Sequence, residues 1–415
     1  MTEEIAQAVA ASPFSALGVS IPLVRAVLDE QYSQPSPVQT EVLPHAIQGR
    51  DVLAAAQTGT GKTAAFVLPI LQHLSATRLP YVRGLILTPT RELASQIAER
   101  AETYGRYLEV RHTVIYGGVN QRRQEIALQE GPDLIVATPG RLLDLLQQKL
   151  VHLDHVTHFV LDEADRMLDM GFVHDVRRIV ALLPKKRQTL FFSATIPAAV
   201  ETLARSMLAD PVRVSITPTV TTAENVEQSV IFVAQPQKRT LLESVLRDES
   251  IARALVFTRT KHGANRLSEH LDRAGIGSAA IHGNKTQGAR ERALDGFRRG
   301  TTRVLVATDV AARGIDVEGV SLVVNYDMPN VAESYVHRIG RTGRAGASGR
   351  AISFCDSGER SLLVDIERFI RRRLPVAPGG GPELQAAPMA SASPPQAPRP
   401  HRPPQRYRGV RVRGA

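Results

Sequence analysis

Residues 56–63 read Ala56-Gln57-Thr58-Gly59-Thr60-Gly61-Lys62-Thr63, between the apolar Val52-Leu53-Ala54-Ala55 and the helix-like Ala64-Ala65-Phe66-Val67. Glycines let the backbone curl so that successive N–H groups point at a phosphate chain. The loop ends at a helix N-terminus, where unpaired N–H groups and the helix dipole favour anions. Lys62 then reaches the outer phosphates, and the Thr63 hydroxyl can ligate Mg²⁺. The general phosphate-loop pattern opens with Gly where this chain has Ala56. A nucleoside triphosphate site is the working expectation.

At 415 residues the chain exceeds the size at which one core stops growing, so two domains are expected. A single Cys355 excludes an internal disulfide or a cysteine-rich zinc site, which fits a reduced, intracellular setting. The start Met1-Thr2-Glu3-Glu4 is acidic, with no long apolar run after it, so neither a secretory signal nor a membrane span is expected. The net charge of +10 points to a polyanionic partner. Part of that excess sits in Arg399, Arg402, Arg406, Arg408, Arg411 and Arg413, opposed beyond Val376 only by Glu383.

Leu85–Leu87, Leu134–Ala137, Phe159–Leu161 and Thr189–Phe192 read as buried strands, and 92–102 and 141–148 as helices between them. That alternation marks an α/β parallel sheet. The chain then repeats itself. Residues 115–128 align without gaps on 281–294, Leu134–Thr138 matches Val304–Thr308, and Leu85–Thr88 matches Leu255–Thr258. Two copies of one fold are expected, with the phosphate loop only in the first. The boundaries are an N-terminal segment 1–40, a first domain 41–212, a linker 213–223, a second domain 224–375 and a disordered Pro/Arg-rich tail 376–415. Residues 32–39, with Pro35 and Pro37, read as a rigid turn before a helix over 40–47. A Gln39 held there could offer its amide to both the N6 donor and the N7 acceptor of adenine.

Asp162-Glu163-Ala164-Asp165 follows a buried strand, at the edge where open α/β sheets bind ligands. There Asp162 would hold Mg²⁺ with Thr63, and Glu163 would position or activate the attacking water. In the second copy, His337-Arg338-Ile339-Gly340-Arg341-Thr342-Gly343-Arg344 gathers arginines around glycines. Facing the first copy's phosphates, these would act as arginine fingers, with hydrolysis dependent on domain closure.

Together Gln39, the 56–63 loop, Pro89-Thr90-Arg91-Glu92-Leu93-Ala94, Thr138-Pro139-Gly140-Arg141, Asp162–Asp165, Ser193-Ala194-Thr195, Arg313-Gly314-Ile315-Asp316 and His337–Arg344 resemble the DEAD-box RNA helicases. The resemblance covers residues 12 to 370, and Ala56 is normal for that family. The run His282–Arg290 further resembles the RhlE branch of its bacterial members.

The resemblance implies two tandem RecA-like domains, ATP and Mg²⁺ in the cleft between them, and RNA across both. Phe14 would stack on adenine and Gln39 read its edge, while residues 56–63 cradle the phosphates and Asp316 contacts the ribose. Lys62, Asp162 and Glu163 are catalytic, with Arg341 and Arg344 as fingers. Ser193, Thr195 and His337 would couple nucleotide state to RNA. RNA would lie on Thr90, Arg91, Gly118, Thr138 and Arg141 in the first copy, and on Thr258, Gly283 and Thr308 in the second. Small and hydroxylic residues suit backbone and 2′-OH contact, so binding without sequence readout is implied. The implied setting is a cytoplasmic monomer that binds RNA single strands and short duplexes, in ribonucleoprotein or RNA-decay assemblies, with no membrane partner. One departure stands out: Gln31 occupies a position where the family often has Gly.

Overall fold

The computed structural model describes residues 3–57, 59–216, 226–312, 317, 319–343 and 348–377. Thr58, the 217–223 part of the expected linker, Arg313–Asp316, Arg344 and the arginine-rich tail from 378 lie outside the described residues. The first copy holds β1 (Val52–Ala55), β2 (Gly84–Leu87), β3 (His112–Ile115), β4 (Leu134–Ala137), β5 (His158–Leu161), β6 (Gln188–Ser193) and β7 (Val212–Ser215). They form a parallel sheet in the order β3-β4-β2-β5-β6-β1-β7. The second holds β8 (Val226–Phe232), β9 (Ala254–Phe257), β10 (Ser278–Ile281), β11 (Val304–Ala307), β12 (Leu322–Asn325) and β13 (Gly349–Cys355). Its parallel order is β10-β11-β9-β12-β13-β8.

Strand for strand the second order repeats the first, so the three alignments that show the repeat in sequence extend to every strand of the second sheet. Both sheets are covered on both faces. Leu85 and Leu87 of β2 pack into one apolar cluster and Ile86 into the opposite one, the period-two alternation of a strand buried on both sides. Burying each such side chain contributes about 1.5–3 kcal/mol.

The expected boundaries need three corrections. Residues 1–40 are no separate unit, because Val9, Phe14, Leu23, Val24 and Val38 join the first copy's core. Residues 213–215 belong to β7, an edge strand whose Val-Arg-Val-Ser alternation was hidden beneath a Pro- and Thr-rich signal. The second copy runs past 375: Val230 N–H donates to Pro375 O and Ala377 N–H to Val230 O, each at 2.9 Å. This parallel Val230–Val376 bridge lies beside β8, as β7 lies beside β1.

The helix expected at 40–47 starts earlier, as Pro37–Ile47. Ser36 is its N-cap, Pro37 sits at the first turn where its missing N–H costs nothing, and Gln39 closes a capping box with Ser36. The preceding helix, Ile21–Asp29, ends with Gln31 N–H on Leu28 O and Tyr32 N–H on Val27 O. That is a Schellman turn, whose left-handed residue is normally glycine. Gln31 takes that place at φ 62°. Gln31→Gly is therefore expected to stabilise the protein by about 0.5–1 kcal/mol. Urea unfolding checks this, and an unchanged or lower midpoint would refute the strain.

Candidate active site

The phosphate loop leaves β1 and enters the helix Lys62–Ser75 through Gly61, whose φ of 91° needs glycine. A Cβ there would lie 2.6 Å from Gln39 Nε2 and 2.8 Å from Ser36 Oγ, so the loop is seated directly under the Pro37–Ile47 helix. Gln39 Nε2 donates to Gly61 O at 3.0 Å, and Gln39 Oε1 accepts from Ser36 N–H at 2.9 Å. A primary amide has two donors and two lone pairs, so one of each remains for a purine edge. Gln39 thus touches the phosphate loop and faces the cleft at once. Gln57 O accepts from Thr60 Oγ1 at 2.8 Å, which holds the loop's curl.

Lys62 Nζ is buried with no hydrogen-bond partner among the described residues. An ammonium so placed calls for an anion. The cleft around it, about 740 Å³, is lined by Tyr32, Gln34, Ser36, Gln39, Gly59–Ala64, Asp162 and Glu163, with Arg253, Arg298 and Val317 from the second copy. Phe14 is not on this wall. Its ring is 1% exposed inside the first core, and the aromatic side chains that line the cleft are Tyr32 and Tyr104. The reason lies in the amphipathic N-terminal helices, which bury Phe14, while the Schellman turn after Asp29 turns Tyr32 outward. The Tyr32 hydroxyl faces that of Tyr104, whose buried phenol is pushed up by desolvation and by this neighbour.

Asp162 and Glu163 follow β5 at the same sheet edge. Burial pushes the Asp162 carboxyl up to about 6, against the pull of Lys62. A carboxylate this buried suits a bound cation. Glu163 sits at φ 52°, a left-handed position strained for a non-glycine residue. Burial opposes its ionisation too, but Arg166, Lys62 and Arg341 outweigh it and hold its carboxyl below the ordinary value. Arg166 Nη1 donates directly to Glu163 Oε2.

The other ends of these motifs interlock. Asp165 N–H donates to Ser193 Oγ at 3.2 Å, and Thr195 donates from both its N–H and its Oγ1 to Asp165 Oδ2 at 3.0 Å. Ser193 and Thr195 are thereby tied to the carboxylate strand end, beside the cleft.

From the second copy, Arg341 acts on Glu163 across the cleft and is itself steadied by Nε donating to His337 O at 3.2 Å. Arg338 turns the other way. It binds Asp309 through Nε at 2.5 Å and Nη2 at 2.7 Å, and is 2% exposed. Thr58, Asp316 and Arg344 lie outside the described residues.

The residues expected to face RNA divide into two kinds. Thr90, Thr138, Thr258 and Thr308 are buried, and Thr90 Oγ1 caps its helix by accepting from Leu93 N–H at 3.3 Å. Thr258 Oγ1 donates to Thr260 O at 3.3 Å. Arg91, by contrast, lies over Gly118, where the Arg91 guanidinium leaves no room for a Cβ. Burial, Arg290 and Arg141 lower the Arg91 pKa, opposed by Glu92. Arg141 Nη1 is buried without a hydrogen-bond partner among the described residues. Three guanidinium groups crowded this way suit a phosphate backbone. Gly283 meets only Lys261 nearby, its Cε at 3.6 Å from where a Cβ would sit.

Glu92, Gln287 and Arg290 were missed by motif reading, yet they join the copies. Arg290 Nε lies 2.9 Å from Glu92 Oε1, with side chains 13% and 3% exposed. Arg91 Nη1 reaches Gln287 Oε1 at 3.4 Å, and Gln287 Nε2 reaches Glu92 Oε1 at the same distance. The repeat itself held the signal, because Gln287 aligns on Gln121 at the start of a duplicated helix. Reversing either charge, Glu92→Arg or Arg290→Glu, is expected to raise the RNA concentration for half-maximal ATPase at least about tenfold, since each strands a buried charge. The double reversal should recover most of the loss. Losses that simply add would refute the latch.

Residues 36–203 match the DEAD/DEAH box helicase family and residues 237–346 the helicase conserved C-terminal domain. The DEAD-box ATP-dependent RNA helicase CshA of Bacillus cereus (strain ATCC 10987 / NRS 248) is 43% identical over 361 residues, 87% of this chain and 69% of its own length. The ATP-dependent RNA helicase DeaD of Escherichia coli (strain K12) is 46% identical over 363 residues, 87% of this chain and 58% of its own length. Among solved structures, S. cerevisiae Dbp5 bound to RNA and ADP BeF3 superposes with a TM-score of 0.78 at 33% identity, covering 88% of this chain and 96% of that one. At this identity over most of its length, the chain belongs to the DEAD-box helicase family.

Proposed function

We propose that this chain hydrolyses ATP in the cleft when RNA draws its two copies together, and that closure pries apart short RNA duplexes. One observation carries the reading: two crossings between the copies coexist in one arrangement. At the nucleotide end Arg341 lies near enough to Glu163 to help lower its pKa, and Arg290 meets Glu92 beside Arg91 at the RNA end. A movement that completes one site therefore completes the other.

The chain's own groups divide the work. Lys62 and the loop N–H groups bind the phosphates, and Tyr32 and Gln39 hold the base. Glu163 takes a proton from, or orients, the attacking water, and Arg341 neutralises charge on the transferred phosphoryl group. Thr63 and Asp162 would hold Mg²⁺, and the burial of the Asp162 carboxyl, only partly offset by Lys62, supports that assignment. When bound, the ion would neutralise charge on the phosphate oxygens.

ATPase assays with and without RNA test the proposal, with turnover expected to rise steeply with RNA of any sequence. Equal turnover without RNA would overturn it. We further infer membership of the RhlE branch from His282–Arg290. A cytoplasmic monomer acting on ribonucleoprotein or RNA-decay assemblies is the setting we infer from the family, and light scattering of the purified protein tests the monomer. No helix among the described residues is long and apolar enough to cross a membrane.

A further inference from the structure

The second copy retains the frame of a phosphate site. Strand β8 lies between β13 and the 375–377 segment, as β1 lies between β6 and β7. Residues 233–237 then stand where 56–61 stand in the first copy, and the next helix, Lys238–Leu246, begins on a lysine just as Lys62–Ser75 does. The two lysines have opposite environments. Lys62 Nζ lacks a hydrogen-bond partner among the described residues. Lys238 is 0% exposed, and its Nζ donates to Glu359 Oε2 at 2.5 Å and lies 3.1 Å from Asp356 Oδ2.

We propose that Glu359 stands in for the missing phosphate, and that Lys238 and Glu359 are positioning residues for the arginine that crosses the cleft. Glu359 Oε1 accepts from Arg259 Nη2 at 2.7 Å and from Met328 N–H at 3.1 Å. The neighbouring Asp327 accepts from Arg259 N–H at 2.8 Å, and its carbonyl accepts from Arg338 Nη1 at 2.7 Å. Arg338 belongs to the helix Ala332–Ile339, and Arg341 N–H donates to Arg338 O at 3.1 Å. The chain of contacts thus runs from Lys238 through Glu359 and the 327–328 turn to the helix end that presents Arg341. Removing the carboxylate takes away the only carboxylate the described residues set against the Arg259 guanidinium and leaves Lys238 with Asp356 alone. A cavity of about 380 Å³, lined by Arg259, Asp327, Asp356 and Glu359, borders the position and leaves room for a molecule the size of acetate once the Glu359 side chain is cut back.

The inference rests on the RNA-stimulated ATPase proposed above, so its test carries a readout that is independent of activity. In Glu359→Ala, kcat is expected to fall about 10²-fold, as for a group misplaced by about an ångström, with KM for ATP unchanged. Sodium acetate should restore part of that kcat and raise the thermal midpoint of Glu359→Ala, relative to sodium chloride at equal ionic strength. Neither effect should appear in wild type or in Lys238→Met/Glu359→Ala. The isosteric Glu359→Gln guards against a folding defect: it should unfold cooperatively and still lose kcat.

Wild-type kcat in Glu359→Gln would overturn the proposal. So would the absence of any acetate effect on Glu359→Ala, or an equal effect on the double variant. Should wild type show no RNA-stimulated turnover, the ATPase reading fails, while the thermal response to acetate still decides whether Glu359 fills an anion site.

Discussion

Glu163→Gln is expected to lower RNA-stimulated ATP turnover by about 10²–10⁴-fold, the contribution of a positioned general base. The amide keeps the side chain's shape but can neither take a proton nor carry the charge that Arg166, Lys62 and Arg341 surround. Because Arg166 and Glu163 are both largely buried, neutralising one strands the other, a change worth about 3–5 kcal/mol. The unliganded variant should therefore unfold at a lower temperature than wild type. Adding ATP should raise its midpoint more than it raises that of wild type, because the phosphates supply the lost negative charge. Turnover within tenfold of wild type would remove Glu163 from the chemistry.

Arg341→Ala should cost more in rate and nothing in nucleotide affinity. A guanidinium supplied across an interface to a transferring phosphoryl group is worth about 10³–10⁵ in kcat. The first copy alone carries Lys62, Tyr32 and Gln39, so binding of a fluorescent ATP analogue should match wild type. Arg341→Lys should rescue little, since a point charge on a flexible stem cannot reproduce the planar fork. Strand displacement from a short RNA duplex should vanish with the ATPase. If kcat holds and only the RNA requirement changes, Arg341 belongs to the RNA grip instead.

The parts legible in sequence were those that repeat or that combine rare residue types. The parallel strands, the duplicated fold, the phosphate loop and the carboxylates after β5 each leave a dense local signal. Burial does not. Phe14 and Tyr32 are both aromatics near a helix end, and only packing reveals that the first fills the core while the second lines the cleft. The capping box at Ser36 and Gln39 was present as a pattern, but two prolines hid it behind a turn. Glu92 and Arg290 lie far apart in the chain, and each reads alone as an ordinary helix charge, so their pairing belongs to the closure of two copies. The same holds for Arg338 and Arg341. Three residues apart in one arginine-rich run, one braces its own domain through Asp309 and the other acts electrostatically on Glu163.

Two copies of a nucleotide-binding fold could in principle hold two nucleotides and share work between them, as paired sites in ring-shaped motors do. The buried Lys238 forbids that stoichiometry here, because its ammonium is already matched by Glu359 and Asp356. One molecule then binds one ATP, and its rate should follow ATP concentration along a simple hyperbola with a Hill coefficient of about 1.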